Sequence, residues 1–292
     1  MSEARPKVSI LTTIYNREAY IAECIESVQA QKFSDYEHIL VDDGSKDASV
    51  DIARAKAQSD PRIQVHVNEA NLGDYPNRNR AASLAGGTYL KYLDADDMLG
   101  RWTLDMMVDA MDMHPGAALG LVDYSRPAPH WPEQLSPEEA YARFYSGKTD
   151  MFKRSPLSAI IRRDAFESVG GFTGKRMVGD FEMWHRIAEN HPVVLIPHAL
   201  SFYRKHDDQE MSHHRADPIW AFRYFIISLE QLGRKECPLD ETQRDAQRRK
   251  VRRTAGRSIL HAIRHYGWKK GRQMMDEIGW TPRETWKAAM EK

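Results

Sequence analysis

The stretch KYLDADDM, Lys91 to Met98, places three carboxylates in four positions directly after an apolar, strand-like run. Asp94 and Asp96 are two apart, so on an extended backbone they project to the same side, and two carboxylates so placed can share a divalent cation. Magnesium or manganese prefers oxygen ligands and keeps positions open for water or substrate phosphates, which suits this spacing. A competing reading is that Asp96 and Asp97 merely cap a helix beginning near Arg101.

VDDGS, Val41 to Ser45, supplies two more acids after another apolar run. Asp42 could accept from a nucleobase imide or a ribose hydroxyl, and Gly44 permits the positive φ of a tight exit turn. A plain Asp-Gly-Ser turn with Asp47 as a cap accounts for Asp43 and Ser45 but less well for Asp42. Gathered in a partly dry cleft, so many carboxylates would repel one another by an amount on the order of several kcal/mol, so something positive must sit there. In NEANLGDYPNRNRAA, Arg78 and Arg80 fall near the start of a helix opened by Pro76, where guanidinium groups could clamp a diphosphate or stack on a base. Either arginine alone would read as a solvated surface group.

The elements that must position these groups follow from periodicity. KVSILTTIY, YEHILVDD, IQVHVNE and TYLKYLD read as strands, and segments 17–31, 46–58, 76–86 and 101–113 as the helices between and after them. In 17–31 the residues Tyr20, Ile21, Cys24, Ile25 and Val28 share one stripe, whereas Ile39, Leu40 and Val41 form a run suited to a strand covered on both faces. The expected fold is a three-layer α/β sandwich with a mainly parallel central sheet, in which ligands bind beyond the carboxyl ends of the strands. Four polar strand ends then converge on one rim. Residues 114–214 read as the second half of this domain, and 215–292 as a helical extension with helices over 218–232, 241–266 and 281–291.

With 42 basic and 42 acidic residues in 292, the chain carries no net charge that points to a nucleic acid. Cys24 and Cys237 lie in unlike contexts, so cysteine metal ligation is excluded and a reduced, cytoplasmic chain is expected. The amino terminus lacks an apolar signal core, and no apolar run approaches the ~18 residues of a membrane span. Helix 241–266 is basic and amphipathic: Arg244, Arg248, Arg249, Lys250, Arg252, Arg253 and Arg257 oppose the stripe Val251, Ala255, Ile259 and Ile263. It could attach the chain peripherally to the inner face of a membrane bearing anionic lipid, or simply pack on its neighbours with a solvated face.

VSILTTIYNREAYIAECIESVQAQ, HILVDDGSKDASVDI, NLGDYPNRNRAASLAGGTYLKYLDADD and GDFEMWHRIAE, in this order across about 8–206, resemble a family-2 inverting glycosyltransferase of the GT-A fold. The resemblance implies a Rossmann-like catalytic domain over 1–214 that moves a sugar from a nucleoside diphosphate sugar, a UDP-sugar above all, to a glycan or lipid-linked glycan in bacterial polysaccharide synthesis. Thr13, Tyr15, Asp42 and Arg78 match the positions around the donor's base, ribose and phosphates. Asp94 and Asp96 match the family's DxD motif, Asp96 being the direct ligand of Mn2+ or Mg2+, and His206 falls near that metal and the diphosphate. Asp180 matches the acid that acts as general base on the acceptor hydroxyl. Such chemistry needs one base and charge neutralisation on the departing diphosphate, and no nucleophilic carboxylate, which favours single displacement with inversion.

Three departures stand out. Thr13 replaces a proline, Ile14 a threonine or valine, and Gly179 the glutamate that usually precedes the base. Asp180 also reads as the N-cap of a helix over 181–190, and Glu182 competes with it for the role of base. Trp184 and Trp102 read as core or as walls of the acceptor cleft. A nucleotidyltransferase would also gather acids around a metal, but TTIYNREAY is not the Gly-rich phosphate loop it calls for. A non-catalytic member that binds a sugar nucleotide or a partner is the other alternative.

Overall fold

The computed structural model describes residues 5–124, 131–197, 201–206 and 217–291. The chain divides into two compact units, one made of the residues up to Ala140 together with Thr149–Arg204, the other of Tyr141–Lys148 and the residues from Lys205 onward. The expected boundary at 214/215 lies outside the described residues.

The first unit is built on an eight-stranded sheet in the order β3-β2-β1-β4-β8-β6-β9-β7. β1 (Val8–Ile14), β2 (Tyr36–Asp42), β3 (Ile63–Val67) and β4 (Tyr89–Tyr92) are mutually parallel, as the βαβ pattern requires. β8 (Ala159–Arg162) runs antiparallel between β4 and β6 (Leu119–Asp123), β9 (Val193–Pro197) is parallel to β6, and β7 (Glu133–Leu135) closes the edge antiparallel to β9. β1 and β2 are buried on both faces along nearly their whole length. Gly87 lets the chain enter β4 tightly against β1, since a Cβ there would stand 2.6 Å from Ser9 N. A separate two-residue ladder joins β5 (Met98–Leu99) to β10 (Ser201–Phe202).

The helices are shorter than their sequence periodicity, for an identifiable reason. α1 is Ile21–Gln29 rather than 17–31, because Asn16 adopts φ 51° and the amides of Asn16, Arg17 and Glu18 are taken by Ser45 Oγ, Ser49 Oγ and Asp47 Oδ2 at 2.8–3.0 Å. The same cross-bonds delay α2 to Ser49–Ala57. α3 instead starts two residues early, at Asp74, and runs to Ser83. Gly73 at φ 87° turns the chain into it, while the Asp43 carboxylate accepts from the amides of Leu72 and Gly73, both at 2.8 Å. α4 (Thr103–Asp112), α5 (Pro137–Ser146), α6 (Arg163–Ser168) and α7 (Gly179–Ala188) complete this series.

The second unit contains α8 (Pro218–Gly233), α9 (Glu241–Tyr266), α10 (Trp268–Ile278) and α11 (Pro282–Ala289), around a core that includes Phe222, Ala255, Ile259 and Met274. Asp217 and Asp240 cap α8 and α9, and Thr281 with Glu284 forms a capping box on α11. α10 is absent from the sequence reading: Gly271 inside it and its polar surface mask an apolar stripe of Met274, Met275 and Ile278. Among the described residues no helix is long and apolar enough to cross a membrane.

Candidate functional site

The rim is where β1, β2 and β4 end. Asp43 N donates to Ile14 O at 2.8 Å and Asn68 N to Asp42 O at 2.9 Å, so the exits of β1, β2 and β3 are held at one level. Adjacent residues at a strand end face opposite ways, and this decides the roles of the two acids of VDDGS. The fully buried Asp42 carboxylate accepts from the amides of Gly44 and Ser45, each at 2.9 Å, and from Ser45 Oγ. Asp42, not Asp43, therefore makes the exit turn, with Gly44 at φ 83°. Asp43 faces the loop before α3, where it also takes Asn68 Nδ2 at 2.7 Å.

The cation that the acids call for comes from the chain itself. Arg78 Nη2 stands 2.8 Å from Asp94 Oδ1 and Arg78 Nε 2.7 Å from Asp74 Oδ1. Tyr92 Oη donates to Arg78 O at 3.1 Å, so Arg78, only 9% exposed, is fixed at both ends. Arg17, which the sequence reading passes over, reaches Asp96 Oδ2 through Nε at 3.1 Å and Asn16 O through Nη1 at 3.0 Å. Arg80 is exposed, so of the two helix arginines only Arg78 belongs to the site.

Neither Asp96 nor Asp97 caps a helix. β5 intervenes, and α4 begins at Thr103 behind Trp102 with no side-chain cap. Asp97 is buried and accepts from Arg204 N at 2.9 Å; burial, with Asp94 adding, pushes its carboxyl up to about 7. Beneath this turn lies the fully buried Lys91, its Nζ on Leu157 O; burial lowers its ammonium to about 7 against the pull of Asp94 and Asp97. A lysine inside an apolar strand run was a legible signal.

Asp180 is the second residue of α7 and not its cap, which is Val178; its Oδ1 accepts from Phe181 N at 2.7 Å. The carboxyl keeps a partial solvent opening but is largely enclosed. Burial pushes it up to about 7, with Asp74 adding to the shift, while the Phe181 amide and Arg78 oppose it. Glu182 is occupied elsewhere, bonded to the Thr173 hydroxyl and 3.2 Å from Lys175 Nζ. Arg78 thus stands among Asp74, Asp94 and Asp180. Tyr15 is exposed and Thr13 half-exposed on the same rim, whereas the half-buried His206 belongs to the second unit.

Trp184 is core, its Nε1 donating to Arg154 O at 2.7 Å. Trp102, the residue before α4, is half-exposed under Lys32, so it is not core.

Among the described residues no three side chains of ligating type stand together around one point, because Asp94 and Asp96 are each turned to an arginine. Their chemistry nonetheless fits Mg2+ or Mn2+. Both are carboxylates, both keep some side-chain exposure, 31% and 13%, and both already hold positive charge.

In the second unit part of the basic set of α9 is bonded within the unit, although Lys250 and Arg257 remain exposed. Lys250 donates to Tyr145 O at 2.8 Å, Arg252 pairs with Glu291 at 3.0 Å, and Arg257 donates to Ala289 O at 3.3 Å. Arg248 and Arg249 are exposed. The corner from Arg264 to Lys269 is exposed throughout and carries Tyr266 and Trp268.

Comparison with known proteins gives these features a context. Residues 9–170 match the profile described as Glycosyl transferase family 2. An uncharacterized protein of Sinorhizobium fredii, y4gI, is 30% identical over 264 residues, covering 87% of this chain but 26% of that protein's length. Among solved structures, Staphylococcus aureus TarS 1–349 in complex with UDP superposes with a TM-score of 0.71 at 18% identity, over 97% of this chain and 81% of that one. The mannosyltransferase PcManGT of Pyrobaculum calidifontis, in complex with GDP-Man and Mn2+, gives 0.62 at 16% identity, over 99% and 85%. These likenesses establish the fold expected from the sequence.

Proposed function

Because the chain belongs to glycosyl transferase family 2, we propose that it transfers a sugar from a nucleoside diphosphate sugar, most simply a UDP-sugar, to a hydroxyl of a glycan or lipid-linked glycan, with inversion. One observation carries this reading: Asp180, Arg78 and Asp94 are linked by charge on a single rim. Thr13, Tyr15, Asp42 and Arg78 would line the donor's base, ribose and phosphates. Asp94 and Asp96, with His206 as the candidate third ligand, would hold Mg2+ or Mn2+, which when bound offsets charge on the diphosphate.

The chain's own groups do the rest. Asp180 takes the proton of the acceptor hydroxyl as that oxygen bonds to the anomeric carbon, while the bond from that carbon to the diphosphate oxygen breaks on the opposite face. A base poised near 7 is partly ionised near neutral pH and still basic enough to accept. Arg78, already desolvated, pairs with the charge developing on the leaving group. In this reading residues 1–214 form the donor-binding catalytic domain. The helical extension 215–292 would meet anionic lipid through its exposed basic and aromatic corner, holding the chain at the cytoplasmic face of a membrane.

A thermal-shift screen of UDP, GDP, dTDP and their sugar conjugates, each with manganese and with EDTA, tests the donor site. Stabilisation by the uridine series in manganese, lost in EDTA, is the expected result; no response to any nucleotide overturns the reading. Pyrophosphate release would mark a nucleotidyltransferase instead, and the anomeric configuration of the product decides inversion.

A further inference from the structure

Gly179 opens α7 with a φ outside the left-handed region, so no backbone requirement selects glycine there. What the position lacks is room. A Cβ at 179 would lie 2.5 Å from Cζ, 2.7 Å from Cε2 and 2.9 Å from Cε1 of Tyr75, closer than carbon atoms approach. Tyr75 is 7% exposed, and its ring rests against Phe172 with centroids 5.0 Å apart. Its hydroxyl oxygen accepts from the Gly179 amide at 3.0 Å, the one hydrogen bond of that hydroxyl among the described residues. The first amide of a helix has no partner within the helix, so this bond fixes where α7 begins. Asp180 is the next residue.

We propose that Tyr75 is a positioning residue for Asp180: ring and hydroxyl together seat the first turn of α7 on α3, and Gly179 is the gap that admits the ring. The proposal rests on the reading of Asp180 as the general base. α3 then serves both halves of the reaction. Arg78, three residues after Tyr75, reaches Asp94 on the donor side, while Tyr75 holds the helix that carries the base. Asp74, Tyr75 and Arg78, all from α3, are the ionisable groups that act with or against Asp180 across this contact, and the Phe181 amide does so from its own helix. A base displaced by about 1 Å loses on the order of a hundredfold in rate, so a residue that sets its place acts on turnover without touching substrate.

Tyr75→Phe keeps the ring and removes only the hydroxyl. In the full chain, amide exchange at Gly179 should quicken about tenfold, and the Asp180 carboxyl, followed by carbon-13 NMR and assigned by its loss in Asp180→Asn, should titrate about half a pH unit or more from its original midpoint. Melting shifts with UDP and manganese should match the unsubstituted protein. Unchanged exchange and an unchanged midpoint overturn the proposal. Gly179→Ala supplies an independent arm: its displacement of the Asp180 midpoint should vanish in a Tyr75→Ala background, and equal displacement in both backgrounds overturns the steric link. Full turnover in Asp180→Asn would remove the base assignment, a failure separate from either titration result.

Discussion

Arg17 Nε stands 3.1 Å from Asp96 Oδ2, so the acid assigned as direct metal ligand is already paired with a cation from the loop after β1. Arg78 does the same for Asp94 at 2.8 Å. Each of these carboxylates therefore has a counter-charge supplied by the chain itself, which resolves the repulsion implied by the sequence.

If Arg17 competes with metal for Asp96, Arg17→Gln should tighten manganese binding in the presence of UDP by up to about fivefold, the equivalent of the ~1 kcal/mol that a part-exposed ion pair is worth. Electron paramagnetic resonance of free manganese reads this directly. Asp96→Ala should make UDP titrations with and without manganese coincide.

Asp180→Asn should lower turnover on the order of 10³-fold with nucleotide affinity retained, measured as UDP release from a sugar nucleotide against calorimetric UDP binding. In the unsubstituted protein the rate should rise with pH through about 7, where Asp180 ionises. Stability gives an independent check. A folded-state carboxyl raised from its ordinary value to about 7 contributes stability that is present below about 4 and lost as pH rises through 7, so the asparagine variant should gain in Tm at pH 8 and not at pH 4.

Lys91→Met should show the opposite dependence. Burial lowers the Lys91 ammonium to about 7, so its contribution is present above its ordinary pKa and lost as pH falls through 7. The melting temperature of the methionine variant relative to the lysine protein should thus be highest near pH 6 and decline by pH 9. A pH-independent difference would mean that Lys91 stays charged throughout.

Between Ala246 and Met275 the chain carries ten bases and no acid. Sedimentation with phosphatidylglycerol vesicles, weakened by salt and by Trp268→Ala or Arg264→Glu, is the outcome expected of a lipid-facing corner. Equal recovery with neutral vesicles, or none with either, would return α9 to a packing role.

The parallel strands, their polar ends and the basic helix were legible because each is a local pattern: period two, period 3.6, or a continuous apolar run. α9 matches its expected span of 241–266. Roles that depend on distant partners were not legible. Asp42 and Asp43 are neighbours of one type, and only the fold shows that one turns to Gly44 and the other to the loop before α3. Arg17 pairs with an acid 79 residues away, and Gly179 answers to a ring 104 residues earlier. No periodicity marks such pairs.

The antiparallel setting of β8 between β4 and β6 has a consequence for how the protein could diversify. β6 ends at Asp123 and β8 begins at Ala159 on the same side of the sheet as the ends of β1, β2 and β4. The chain between them leaves from and returns to one edge, and on the way it supplies β7 to the sheet and Tyr141–Lys148 to the second unit. Changes of length between the elements of that stretch leave the donor-side acids where they are, because β1, β2 and β4 all precede it.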